Sequence, residues 1–230
     1  MGLDIYFEKR KALNENQQKE IEAKRARIAE LEKESGKYED AIKNLIAEQF
    51  DGDVDTILSE IYGKRAGLMY LRTVKEDGDE LSEKETNTLN EAEKYFEEHK
   101  DITELLDKMQ VNVDESGELA EEIHNIFNRK EIAYFRKVNF LMAFFTYVDN
   151  CEFVEITKEQ VSDLVDRATR VWENHSLAEE LLPTQSGFFY GSTEYSDWYF
   201  EDVKDVRDTF QEILDNTDWE NEVVEMYCWW

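Results

Sequence analysis

Pro183 is the single proline in 230 residues, and its isolation constrains what this chain can fold into more than any motif does. A proline inside a helix removes a backbone donor and clashes with the preceding turn, so a chain almost without one is free to run in long helices. The apolar pattern agrees. Ile21, Ile28, Leu31, Tyr38, Ile42 and Leu45 recur at spacings of three, four and seven between Lys, Arg and Glu, the heptad-like seam of a long exposed helix. Ser35-Gly36 lies midway along that seam and predicts a bend or a break. A second helix starts at Asp51-Gly-Asp-Val-Asp55, with Val54, Ile57, Leu58, Ile61 and Leu68 on one side. A third covers 82–109, marked by Leu89, Ala92, Phe96 and Leu105. Short connections make such helices antiparallel neighbours. Residues 14–110 therefore read as a coiled-coil-like helical arm or insertion, projecting from a compact body made of 1–13 and 111–230.

The body reads as mixed. Residues 3–7, 151–156 and 222–230 carry strand patterns, and the two terminal ones are expected to pair, since neither could bury a strand alone. A helix is expected over 117–148, where Leu119, Ile123, Phe127, Tyr134, Val138, Leu141, Phe145 and Val148 form one stripe. Its far end is apolar on almost every face, which predicts a buried axis. Thr157 caps a further helix to about Trp172, with Gln160 at the capping-box position, and another runs from Ser196 to Leu214. The fold class is α+β, predominantly helical, with a small antiparallel sheet joining the termini.

Charge narrows the function. Fifty-five Asp and Glu face 27 Lys and Arg, a net charge of −28. Such a field repels nucleic acid and anionic membranes and attracts basic proteins. Aromatics at 13% exclude a disordered acidic tail. Cys151 and Cys228 are too few for a disulfide framework, no secretory signal precedes them, and no apolar run approaches the ~20 residues that span a bilayer. Tyr6 stands where an N-myristoylation signal requires Ser or Thr. The chain is expected in the cytoplasm.

Two segments carry candidate sites. The first is Leu182-Pro-Thr-Gln-Ser-Gly-Phe-Phe-Tyr-Gly-Ser-Thr-Glu-Tyr195. Its glycines permit positive φ or close approach to a ligand, and Thr184, Gln185, Ser186, Ser192, Thr193, Glu194 and Tyr195 could hold an anion or a sugar. The structural alternative is a β-hairpin with a core of aromatics. It lacks the Gly-Lys-Ser/Thr ending of a phosphate loop. Arg136 and Asn139 enter the body beside dense apolar sequence, where a guanidinium must pair with a carboxylate or point into a cleft, and a cleft shared with the 184–194 loop is the functional reading. The second segment is acidic. Residues 171–230 hold 15 Asp or Glu against two Lys or Arg. Asp197, Glu201, Asp202, Asp205 and Asp208 step along it among Trp198 and Tyr199, a row that could imitate a phosphate backbone. An ordinary solvated helix face has the same pattern.

Metal and catalytic signals are weak. Asp51, Asp53 and Asp55 have the spacing of an EF-hand start, but Thr56 and Tyr62 occupy the positions of the required glycine and acid. An Asp-rich helix N-terminus is the simpler account. His99, His124 and His175 have no partners at ligand spacing. No cofactor and no catalytic group is assigned, so the chain reads as a binding protein rather than an enzyme.

The start Met1-Gly-Leu-Asp-Ile-Tyr6, the segment Glu131-Ile-Ala-Tyr-Phe-Arg-Lys-Val-Asn139, the 182–195 block and the aromatic C-terminus together resemble a family of small phage-encoded proteins. The resemblance covers 1–10 and 130–230. Phe135 departs from it, where tryptophan is expected, and so does the segment 14–125, which is far longer here. It implies an accessory interaction protein working in an infected bacterial cell, with no substrate attached. The leading expectation is an acidic inhibitor, a nucleic-acid mimic, of a basic host nucleic-acid-binding or defence protein. A nucleotide- or sugar-binding protein using the Arg136 cleft is one alternative. A structural protein that self-associates through the arm is another.

Overall fold

The computed structural model describes residues 2–146 and 148–230. Met1, in the resemblance at the start, and Tyr147, in the expected 117–148 helix, lie outside the described residues. Four strands, β1 (Asp4–Lys11), β2 (Lys130–Arg136), β3 (Phe153–Ile156) and β4 (Glu222–Trp229), form one antiparallel sheet in the order β2-β1-β4-β3. Four long helices lie between the first two strands: α1 (Glu15–Gln49), α2 (Val54–Glu76), α3 (Glu83–Glu98) and α4 (Lys100–Phe127). Then come α5 (Phe140–Phe144), α6 (Lys158–Glu173), a 3₁₀ turn at His175–Leu177, α7 (Ala178–Leu181) and α8 (Asp197–Asn216). No helix among the described residues is long and apolar enough to cross a membrane.

The chain divides into two units, residues up to Gln18 with His124–Trp230, and Lys19–Ile123. In the first, β1 is central. It pairs along its whole length with β4, from Asp4 opposite Trp229 to Lys11 opposite Glu222, and with β2 on its other side. The predicted pairing of the two termini is therefore present. Alternation along β1 sends Ile5 and Phe7 inward, where Phe7 meets the edge of Phe210 from α8 with ring centroids 4.7 Å apart. Val161, Leu164, Ala168 and Val171 of α6 and Val203, Val206 and Phe210 of α8 complete a core in which none of these side chains reaches solvent. Thr157 and Gln160 form the expected reciprocal cap of α6.

The helix expected over 82–109 is split at His99 into α3 and α4, and the one expected over 117–148 is overturned. No single helix runs over 117–148. α4 ends at Phe127, Asn128 turns with φ 45, and β2 follows. A left-handed residue after the last turn is a common way to end a helix. The apolar residues from Phe127 to Val148 do fit a helical period, but Tyr134 and Phe135 also alternate across a sheet, and β1 supplies the open edge that decides between the two. Phe135 turns into the core while Tyr134 stays on the outer face.

The helical unit is held by α1 against α4 and α2 against α3. Buried Ile42, Ile46, Leu58, Ile61, Leu68, Phe96 and Ile102 form its main cluster, so the seam read along α1 does face a core. Arg27 Nε donates to Glu115 at 2.8 Å, and Lys24 pairs with Glu122. The helix does not break at Ser35-Gly36. Asn112 of α4 donates there, to Ser35 Oγ at 3.2 Å and to the Leu31 carbonyl at 3.4 Å. A lone glycine costs about 1 kcal/mol in a helix, too little to break one that Asn112 holds at Leu31 and Ser35. Asp53 caps α2 by accepting from Thr56 N at 2.9 Å.

The sheet's outer face carries buried charge. Glu225 is approached by two arginines: Arg129 Nε donates to Oε2 at 2.7 Å, and Arg10 Nε lies 3.0 Å from Oε1. Arg10 Nη2 also donates to Glu155 at 2.7 Å. Removing the shared carboxylate would leave two largely buried guanidinium groups with diminished pairing. Glu225→Ala is therefore expected to destabilise the body by about 3 kcal/mol or more, measured as a lower denaturant midpoint at unchanged slope.

Candidate functional site

The 182–195 loop is built from its backbone inward. Asn139, buried just after β2, donates through Nδ2 to the Ser192 carbonyl at 2.7 Å and the Tyr190 carbonyl at 3.3 Å, while its Oδ1 accepts from Gln185 N at 3.4 Å. Thr184 Oγ1 donates to the Thr193 carbonyl, Thr184 N donates to the Tyr195 hydroxyl, and Ser192 Oγ accepts from Glu194 N. The glycines serve the same end. The Tyr190 ring lies where a Gly187 Cβ would stand, 2.7 Å from its Cγ, and Gly191 turns with φ +90 against the Lys137 stem. The loop contains no strand, so the hairpin alternative is replaced by a turn closed by Tyr190 N donating to Gly187 O at 3.2 Å.

The chain start docks on this loop. Leu3 N donates to the Phe189 carbonyl at 3.0 Å, Lys137 N donates to the Leu3 carbonyl at 2.8 Å, and Tyr190 meets Trp230 edge-on at 5.7 Å. The residues before β1, those after β2, the 182–195 loop and the end of β4 thus meet at one place. Beside them lies an open groove of about 180 Å³, with Arg136, Lys137 and Asn139 on one wall, Gly191, Ser192 and Glu194 on another, and Trp198, Tyr199 and Asp202 from α8. Arg136 is exposed and 3.9 Å from Asp4. Ser186 is exposed on the loop. Among the described residues no three His, Cys, Asp or Glu side chains converge as metal ligands.

α8 separates the residues read as one acidic row. At ~100° per residue, Asp197, Glu201, Asp205 and Asp208 fall on one side, and all four are exposed. Glu212 and Asp215, missed from the sequence although their spacing continues the row, extend it. Trp198 stands beside its head, 83% exposed. Tyr199 does not join them: two residues on from Asp197 it turns to the core, where its hydroxyl donates to the Leu182 carbonyl at 2.6 Å. Asp202 also turns aside, half-buried, into the groove. Burial, with Asp205 as the lesser cause, pushes its carboxyl up to about 6.

No family model matches this chain, no curated protein is similar to it, and no solved structure resembles it.

Asn139→Ala would strip partners from Gln185 N and the Tyr190 and Ser192 carbonyls, so a loss of about 1–3 kcal/mol and faster amide exchange confined to 184–196 are expected. Asp202 holds its proton more tightly folded than unfolded, so its charge opposes folding above about pH 6. That penalty fades as the pH falls towards the ordinary carboxyl value of ~3.9. Asp202→Asn should raise the melting temperature at neutral pH and leave it unchanged below about pH 4.

Proposed function

We infer that this chain is an interaction protein that captures a basic protein through the carboxylate face of α8. The observation that carries this reading is the exposed row Asp197, Glu201, Asp205, Asp208, Glu212 and Asp215. It extends over ~27 Å at ~1.5 Å per residue, about one charge per ~5 Å, against one phosphate per ~3.4 Å along a DNA strand. Neutralisation is partial: Lys204 lies 3.9 Å from Glu201, and Arg207 lies 2.6 Å from Asp208. Trp198 at the head of the row and Phe188 on the braced loop, 95% exposed, supply large apolar contact at low entropic cost. Together they offer long-range attraction and short-range anchoring to a nucleic-acid-binding protein.

The finer reading is an accessory protein of a phage that inhibits such a host or defence protein in the cytoplasm of the infected cell. The small-molecule alternative has less support, because Thr184, Asn139 and Ser192 are taken up by the loop's own backbone.

Association with a basic partner recovered by affinity purification should slow markedly with salt, since screening acts over ~8 Å at physiological ionic strength, and nucleic acid should compete. Replacing Asp197, Glu201, Asp205 and Asp208 together by Asn or Gln should slow capture by tenfold or more, within the range of electrostatic steering, without changing the fold. A salt-independent rate, or a quadruple variant that binds as fast as the parent, would reduce the row to a solubilising surface.

A further inference from the structure

The outer face of the sheet holds a second surface, of different chemistry from α8. Tyr134, Tyr6, Tyr227 and Phe153 occupy matching register positions on β2, β1, β4 and β3. Their rings form a row across all four strands, with successive centroids 5.0, 6.1 and 4.7 Å apart. An antiparallel sheet with one face on the core normally turns polar side chains to water on the other. Here Tyr134 is 44% exposed, Phe153 40%, and Trp229, next on the same face of β4, 47%.

The row already holds one cation of the chain itself. Arg129 is sandwiched between Phe127 and Phe153, its guanidinium carbon 4.0 and 3.9 Å from the ring centroids, while its Nε donates to Glu225. Ring faces with a carboxylate at their border are the setting that selects guanidinium over ammonium, because the planar group stacks and forks at once, and is more weakly hydrated. At the opposite end a ring again meets a carboxylate, without a stacked cation among the described residues and with Asp4 itself buried. The Tyr134 ring has Tyr6 beside it, and its hydroxyl donates to Asp4 at 2.5 Å. Arg136 reaches Asp4 only at 3.9 Å, with its side chain more than half exposed.

We propose that the outer sheet face, from Tyr134 to Trp229, is a docking site for arginine side chains of a basic protein segment. Single-stranded nucleic acid also stacks on aromatic sheet faces, but the net charge of −28 opposes a phosphate backbone, and on this face the carboxylates Asp4, Glu8, Glu155 and Glu225 outnumber Arg10, Arg129 and Arg136. The proposal rests on the reading of a basic partner and adds a surface that reads which cation the partner carries.

The test compares short peptides of arginine spaced by Gly-Ser with their lysine counterparts, and with oligothymidylate, by calorimetry on the full chain. At ~0.3 M salt, with screening tighter than ~8 Å, the arginine peptide should bind about tenfold more tightly than the lysine one. Tyr134→Thr with Trp229→Thr should abolish that ratio, whereas Tyr134→Phe, which keeps the ring, should preserve it. Neutralising the α8 row should weaken both peptides alike and leave the ratio intact, so failure of the α8 reading and failure of this one give different results. Equal binding of the two peptides by the parent chain would overturn the proposal without any variant. So would a ratio that survives in the double threonine variant, or tighter binding of oligothymidylate than of either peptide.

Discussion

Pairing of β1 with β4 is the constraint from which the rest of the body follows. These are the first and last elements of the chain, and their register, unbroken from Asp4–Trp229 to Lys11–Glu222, closes the sheet before any loop is placed. Its inner face fixes Phe7 against Phe210 and so orients α8. Orienting α8 turns Val203, Val206 and Phe210 inward, which leaves the carboxylates between them no direction but outward. Contact between segments so distant in sequence closes a long loop, whose entropy grows only slowly with length. That slow growth is why helices over a hundred residues can intervene between β1 and β2 without undoing the sheet.

A chain this acidic must place its few cations where each offsets most repulsion. Arg10 and Arg129 converge on Glu225 inside the outer sheet face. Arg27, Arg65 and Arg72 each bridge one helix to another through Glu115, Asp107 and Glu93. Exposed pairs of this kind contribute little individually, ~0–1 kcal/mol, so their weight lies in removing like-charge contact at helix seams. On α8 only Lys204 and Arg207 stand near the row. The net charge is thus unevenly distributed by construction, with neutralised interfaces inside and an open carboxylate row outside.

What could be read from the sequence was what depends on near neighbours. The Thr157–Gln160 cap lies within one turn, and the Asp197–Asp208 row needs only the helical period. The pairing of the termini was legible because both alternate. β2 was not, since Phe127, Tyr134, Val138 and Phe145 satisfy a helix period until β1 is known to need a partner. Proximity in sequence puts Tyr199 with the acidic surface, although its position on the helix turns it inward. Asn139 was legible as polar beside apolar residues, but not as a brace: its partners are main-chain carbonyls 51 and 53 residues away. The aromatic row on the outer face was hidden for the same reason, each ring coming from a different strand.

The bracing of the 182–195 loop bears on how exposed aromatics are used. An exposed phenylalanine on a mobile loop gives little to binding, because fixing it costs as much conformational entropy as the contact returns. Phe188 sits instead on backbone held at Gln185, Phe189, Tyr190 and Ser192, and closed by a glycine whose missing side chain the Tyr190 ring occupies. Its neighbours have few conformations left to lose. Trp198 is fixed in the same way by the first turn of α8, whose next residue, Tyr199, is bonded into the core. On the proposed reading, the carboxylates would set how fast a basic protein arrives and the rigid aromatics how slowly it leaves, a division that depends on Asn139 tying the loop to the sheet.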